Sequence, residues 1–134
     1  LPSEIFDLFD DTYVNVAMPY ALKSYREESI DDNHVEVHAV LEKDGHSITI
    51  NGQGNGLLDA FCHGIAQSIH KEITITTYQE HAMKSGSDSA AITYVEIQLL
   101  GNGKYLGAGI SSSVSKSSLR AVVSAMNRMI TTKV

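Results

Sequence analysis

From His34 to Leu41 apolar and polar residues alternate, with Val35, Val37, Ala39 and Leu41 on one side and His34, Glu36 and His38 on the other. Strict alternation of this kind marks a half-buried strand. Asp44-Gly45 follows, a dipeptide that favours a tight hairpin because both positions tolerate a left-handed backbone. Ile48 and Ile50 resume the alternation on the returning strand. Residues 20–28 predict an earlier strand, bounded by Pro19 and by the polar turn Asp31-Asp32-Asn33. The period then changes after Gly52-Gln53-Gly54-Asn55-Gly56. Leu58, Phe61, Cys62, Ile65 and Ile69 recur at helical spacing and predict a helix from about Leu57 to His70.

The second half follows the same plan. Ile73 and Ile75 open a strand reaching Tyr78, and residues 80–90 read as a polar loop. A strand over 91–100, an Asn102-Gly103 hairpin turn and a strand from Lys104 to Ile110 come next. The last helix is predicted from about Ser117 to Ile130, with Leu119, Val122, Val123, Met126 and Ile130 on its buried face. A shift of 58 residues lays Gly45 on Gly103, Val37 on Val95, Ala39 on Ile97 and Leu41 on Leu99. The economical reading is an α+β fold of two βββα units related by a pseudo-twofold axis, with both helices on one face of a sheet. The units run over about 19–71 and 72–134. Residues 1–18 stand apart as a connector, with a short amphipathic helix predicted over 3–14 from Ser3, Ile5, Leu8, Phe9 and Tyr13.

Composition narrows the function. The 134 residues carry a net charge of −6, with acids and bases dispersed. A nucleic-acid partner needs a concentrated basic surface, which this chain lacks. No apolar run approaches a membrane span and there is no secretory signal. The single cysteine, Cys62, makes an intrachain disulfide impossible and fits a reducing, cytoplasmic setting. The chain begins at Leu1 rather than Met, which reads as a fragment or a processed chain.

Candidate chemistry is sparse. The Gly52–Gly56 run opens a helix whose first N–H groups favour an anion, but it lacks the Lys-Ser/Thr ending of a P-loop and the spacing of a dinucleotide fingerprint. A small carboxylate suits it better than a polyphosphate. His34, Glu36 and His38 have metal-ligand character, but alternate polar residues are also what a solvent-facing strand presents. His63 and His70 read as surface residues, and Cys62 falls on the buried helix face, away from any activating base. The serines at 111–113, 115, 117 and 118 read as turn and cap material. Nothing here amounts to a catalytic or metal site. The residues describe a binding or assembly domain.

Five ordered motifs make the reading specific. They are Gly54-Asn55-Gly56-Leu57-Leu58-Asp59-Ala60-Phe61, Tyr78-Gln79-Glu80-His81-Ala82, Gly86 with Asp88, Tyr94-Val95-Glu96, and Gly107-Ala108-Gly109-Ile110 followed by residues 118–128. Together they resemble the C-terminal regulatory domain of 2-isopropylmalate synthases, in the actinobacterial form. The resemblance implies two βββα units, a homodimer, and feedback inhibition by L-leucine bound at the dimer interface. It also implies that the chain catalyses nothing alone and needs no cofactor. Acetyl-CoA and 2-oxoisovalerate would be joined in a separate catalytic barrel, which would hold the divalent metal ion. Carried over by motif, the leucine site comprises Gly54, Asn55, Gly56, Leu58, Ile75, Tyr78, Ala82, Asp88, Ser89 and Ile110, with Asp88 balancing the ligand ammonium. Leu57 stands where the family usually has proline, and Thr77 where it usually has aspartate.

Three other functions compete. The same domain on citramalate synthase would sense isoleucine, and a structural dimerisation module would bind no ligand. A small enzyme using His34, Glu36 and His38 is the third.

Overall fold

The computed structural model describes residues 14–85, 88–99 and 103–132. The helix expected over 3–14 lies almost wholly outside the described residues. Eight elements follow in order. They are β1 (Ala21–Asp31), β2 (His34–Lys43), β3 (His46–Gly54), α1 (Leu57–Ile69), β4 (Ile73–Ser85), β5 (Asp88–Leu99), β6 (Lys104–Ser111) and α2 (Val114–Thr132). Each half is a βββα unit, as the repeat predicts. The strands do not join into one sheet, however: β1-β2-β3 and β4-β5-β6 form two separate antiparallel sheets.

Hairpin chemistry sets the first sheet. Asp44 and Gly45 have φ of 53° and 78°, the mirror-image turn geometry that suits a two-residue hairpin. The register pairs Leu41 with Ile48, Ala39 with Ile50 and Val37 with Gly52, so the apolar positions share one face. Helix α1 lies on that face. Gly52 and Gly64 let it come close: a Cβ at Gly52 would overlap the Ala60 carbonyl and the Gly64 backbone. Gly107 does the same for α2, where a Cβ would overlap Ala121 and Ala125. These glycines serve close packing rather than a sharp bend.

One expectation fails. Residues 80–85 and 88–90 are strand rather than loop, because β4 runs on to Ser85 and pairs His81 with Ile92, Ala82 with Ala91 and Ser85 with Asp88, while 86 and 87 lie outside the described residues. The polar letters Gln79, Glu80 and His81 are exposed on an arm that extends past the helices, so no apolar alternation is needed to hold it. Backbone pairing runs along this stretch, and the His81 ring meets Tyr94 edge-on with centroids 6.0 Å apart.

The two units share one core. Leu41, Ile50, Phe61 and Ile65 of the first are fully buried beside Ile97, Leu119 and Met126 of the second. Helix α2 starts three residues earlier than predicted, capped by Ser113, whose Oγ accepts the Lys116 N–H at 3.3 Å. It is buried around most of its circumference, and Ser117, Ser124 and Asn127 are fully enclosed with the apolar positions. Their partners come from the preceding connector and from β5. Ser124 Oγ accepts the Val16 N–H at 3.2 Å, and Ser117 Oγ meets Thr93 Oγ1 at 2.8 Å. Val14 adds a parallel bridge to Ala108 on the open edge of β6.

Candidate functional site

The glycine run delivers the chain into α1 without a side-chain cap. Gly56 is the N-cap residue in a fully extended conformation, and no side chain bonds to the first turn from that position. The nearby acid is Asp59, whose Oδ2 accepts the Asn55 N–H at 2.9 Å. The chain's own carboxylate thus sits beside the helix mouth, while the first-turn N–H groups after Gly56 have no intrahelical acceptor. His63 closes the cluster, its Nδ1 2.7 Å from the Gln53 carbonyl oxygen and its Nε2 3.5 Å from Asp59 Oδ1.

Beside this mouth, between α1 and the start of β4, lies a cavity of about 420 Å³. Leu58, Cys62, Ile73 and Ile75 line it with apolar surface, and Asp59, His63 and Thr74 add polar groups. Burial and then the Asp59 charge push the Cys62 thiol up to about 12, so at neutral pH it is an uncharged part of the wall. An apolar slot with a few convergent polar groups is the ordinary form of a small-molecule site.

A second cavity, of about 200 Å³, opens at the other end of β4 against the start of α2, with Glu80, Ala82, Ala91 and Val114 in its lining. Tyr78 stands near it, with the ring exposed and its hydroxyl donating to Glu80 Oε2 at 2.8 Å, 3.2 Å from Ser118 Oγ. Partial desolvation raises the pKa of that hydroxyl, and the Ser118 contact opposes the rise.

The ten residues named from sequence are therefore distributed. Leu58 and Ile75 share the first cavity, with Gly54, Asn55 and Gly56 leading into it. Ala82 lies in the second. Ile75 and Ala82 are seven positions apart on β4, roughly 20 Å at the rise of a strand, which is more than one amino acid spans. The register places Ile110 opposite Ile92 and Gly107 opposite Val95, so Ile110 faces away from the side that carries Tyr78. Its carbonyl is held by Arg120 at 2.9 Å and its N–H by Asn15 at 2.9 Å. Asp88 and Ser89 begin β5, and their side chains lie outside the described residues.

Asp59, His63, Ile73 and Thr74 were missed by the sequence reading. The signal for Asp59 was an acid in the first helical turn, which reads equally as helix-start chemistry.

The metal-like trio is also rearranged. His34 turns to Asp31 at 2.9 Å, while Glu36 and His38 meet Glu28. Arg26 reaches Glu28 at 3.2 Å, and Gln53 and Asn51 bond Glu36 and His38, so these groups are satisfied from within the chain.

Comparison with known proteins decides the family. The family described as LeuA allosteric (dimerisation) domain matches residues 1–130. The chain belongs to this family. It is 38% identical to 2-isopropylmalate synthase of Acetoanaerobium sticklandii over 129 residues, 95% of this chain and 23% of that protein. The corresponding enzyme of Clostridium acetobutylicum is 37% identical over 132 residues, and that of Mycobacterium ulcerans 36% over 131 residues. Each alignment takes in 95% of this chain, and the chain spans 24% and 22% of those two relatives. The matched family is an allosteric (dimerisation) domain, and the chain spans less than a quarter of the length of each of these relatives.

Proposed function

We propose that this LeuA domain is the leucine-sensing, dimer-forming part of a 2-isopropylmalate synthase that condenses acetyl-CoA with 2-oxoisovalerate. Leucine bound between two copies favours one arrangement of them, and that arrangement slows the attached catalytic domains. Such a shift requires leucine to bind the two arrangements with different affinity.

The observation that carries this reading is the cavity between α1 and β4. Its apolar lining of Leu58, Cys62, Ile73 and Ile75 suits an isobutyl side chain. The uncapped first turn of α1 offers N–H groups to the ligand carboxylate. The separation of Ile75 from Ala82 supports a shared site. One leucine cannot touch both on one strand, but a second copy can bring its Tyr78 and Ala82 to the first cavity. Tyr78 and Val114 are 43% and 47% exposed at that end of the molecule, so their apolar surface is open to a second copy.

Thermal unfolding of the full-length protein with leucine, isoleucine and valine tests the proposal. Leucine at 100 times its dissociation constant stabilises the bound state by ~2.7 kcal/mol. A larger shift with isoleucine would reassign the domain to isoleucine sensing. No shift with any of the three, with the dimer intact by light scattering, would remove the sensing function.

A further inference from the structure

Resting on the leucine reading above, we infer that Asp59 is the group that receives the ligand's α-ammonium, and that it discriminates amino acids from the matching carboxylic acids. Asp59 lines the same cavity as Leu58, Cys62 and Ile75. Its two oxygens are unequally engaged. Oδ2 accepts the Asn55 N–H at 2.9 Å, whereas among the described residues the neighbour of Oδ1 is His63 Nε2 at 3.5 Å, at the edge of a hydrogen bond. His63 is itself directed elsewhere, with Nδ1 at 2.7 Å from the Gln53 carbonyl oxygen. A carboxylate oxygen with spare acceptor capacity therefore borders the cavity one helical turn from its apolar lining.

Placement matches a zwitterion. The α-carboxylate and α-ammonium of an amino acid leave the same carbon, so their receivers must be adjacent. The first-turn amides of α1 supply the positive end of a helix, and Asp59 supplies a negative charge within that turn. The side chain then continues over Leu58 toward Ile73 and Ile75. Within the described residues of this cavity Asp59 is the acid. Asp88, the ammonium partner expected from sequence, begins β5 opposite Ser85, beyond Ala82, so it comes to this cavity only on the arm of the second copy, whereas Asp59 borders the cavity within its own chain. Glu80 is already the acceptor for the Tyr78 hydroxyl and lines the other cavity.

Asp59→Asn separates the charge from the fold, because an amide oxygen still accepts the Asn55 N–H. The experiment is equilibrium dialysis of labelled L-leucine against the full-length protein, with competition by 4-methylpentanoate, the same skeleton without the amine. Competition against bound leucine reads that site alone. In wild type, leucine should bind far more tightly than 4-methylpentanoate. In Asp59→Asn leucine should weaken about 10- to 100-fold, the range for losing a hydrogen bond between charged groups, while 4-methylpentanoate changes little. Asp88→Asn should leave the ratio of the two affinities as in wild type. The inference is overturned if Asp59→Asn binds leucine as wild type does, if both ligands weaken equally, or if Asp88→Asn collapses the ratio instead. Wild-type protein that binds no leucine would overturn the leucine reading itself, and this inference with it.

Discussion

Asn127 holds the backbone of Tyr20 from both sides. Its Nδ2 donates to the Tyr20 carbonyl at 2.7 Å, and its Oδ1 accepts the Tyr20 N–H at 3.0 Å. The second Nδ2 hydrogen goes to the Val16 carbonyl at 2.7 Å. Asn127 is fully buried in α2, so the segment leading into β1 is fixed to the helix at the centre of the core. Asn127→Leu keeps the volume but leaves the Tyr20 N–H and two carbonyls without their partner. Stability should fall by about 3 kcal/mol or more, since each of these unsatisfied groups costs about 1–3 kcal/mol. Urea unfolding should show a lower midpoint with an unchanged slope. A change below about 0.5 kcal/mol would mean that water replaces the amide at this contact.

Two glycines four residues apart should behave in opposite ways. A methyl group at Gly52 meets the Ala60 carbonyl and the Gly64 backbone, so Gly52→Ala must push α1 off β3 and should cost about 1–3 kcal/mol. Gly56 has nothing within 4 Å of an added Cβ, and its extended backbone accepts any residue. Gly56→Val should therefore leave the melting temperature nearly unchanged while weakening leucine binding at the α1 mouth. Calorimetric melting and a leucine titration on the two variants check the contrast. Equal losses of stability would refute it.

A site shared between copies makes a complementation prediction. Leu58→Lys spoils the first cavity and Ala82→Trp the proposed contribution of the second copy. Each homodimer should bind no leucine. In a heterodimer of the two variants, one site collects both substitutions and the other collects neither. Differently tagged chains, purified as the mixed species, should recover about half the wild-type leucine stoichiometry. Full loss in the mixed dimer would place the whole site within one chain.

His38 should titrate above the ordinary histidine value of 6.5, raised first by its hydrogen bond to Asn51 and then by Glu36. Glu36 is lowered below 4.5, first by Gln53 and then by His38. The signs define a window. The histidine's contribution is complete below about 6.5 and fades as pH rises through its folded value. The contribution of Glu36 is complete above about 4.5 and fades as pH falls through its lowered value. Both side chains are on the solvent-facing side of the sheet, so the effect on overall stability is small. NMR titration of the His38 ring should show the raised pKa, and Glu36→Gln should bring it down. An unmoved His38 titration in that variant would assign the shift to Asn51 alone.

Much of the fold was legible because the residues that carry it act locally. Alternation from Val35 to Leu41 fixes which side of β2 is buried, Asp44-Gly45 fixes the turn, and helical spacing from Leu58 to Ile69 fixes the face of α1. The arm formed by 80–85 and 88–90 was not legible, since its strands pair along the backbone and its letters carry no periodic apolar signal. The candidate site was half legible. Leu58 and Ile75 line one cavity, and the distance from Ile75 to Ala82 follows from an extended β4, which the loop reading had hidden.

What the sequence by itself determined is the α+β class, the repeated βββα unit and the motifs that place the chain in its family. These rest on neighbours along the chain, where period and turn chemistry act directly. Only the tertiary structure decided that the strands divide into two sheets, that Gly52 serves helix packing, and that Asp59 borders the cavity. Those outcomes depend on contacts between residues far apart in sequence, such as Val16 with Ser124 or Tyr78 with Ser118. No local pattern encodes them, because each follows from how two elements dock and what space remains between them.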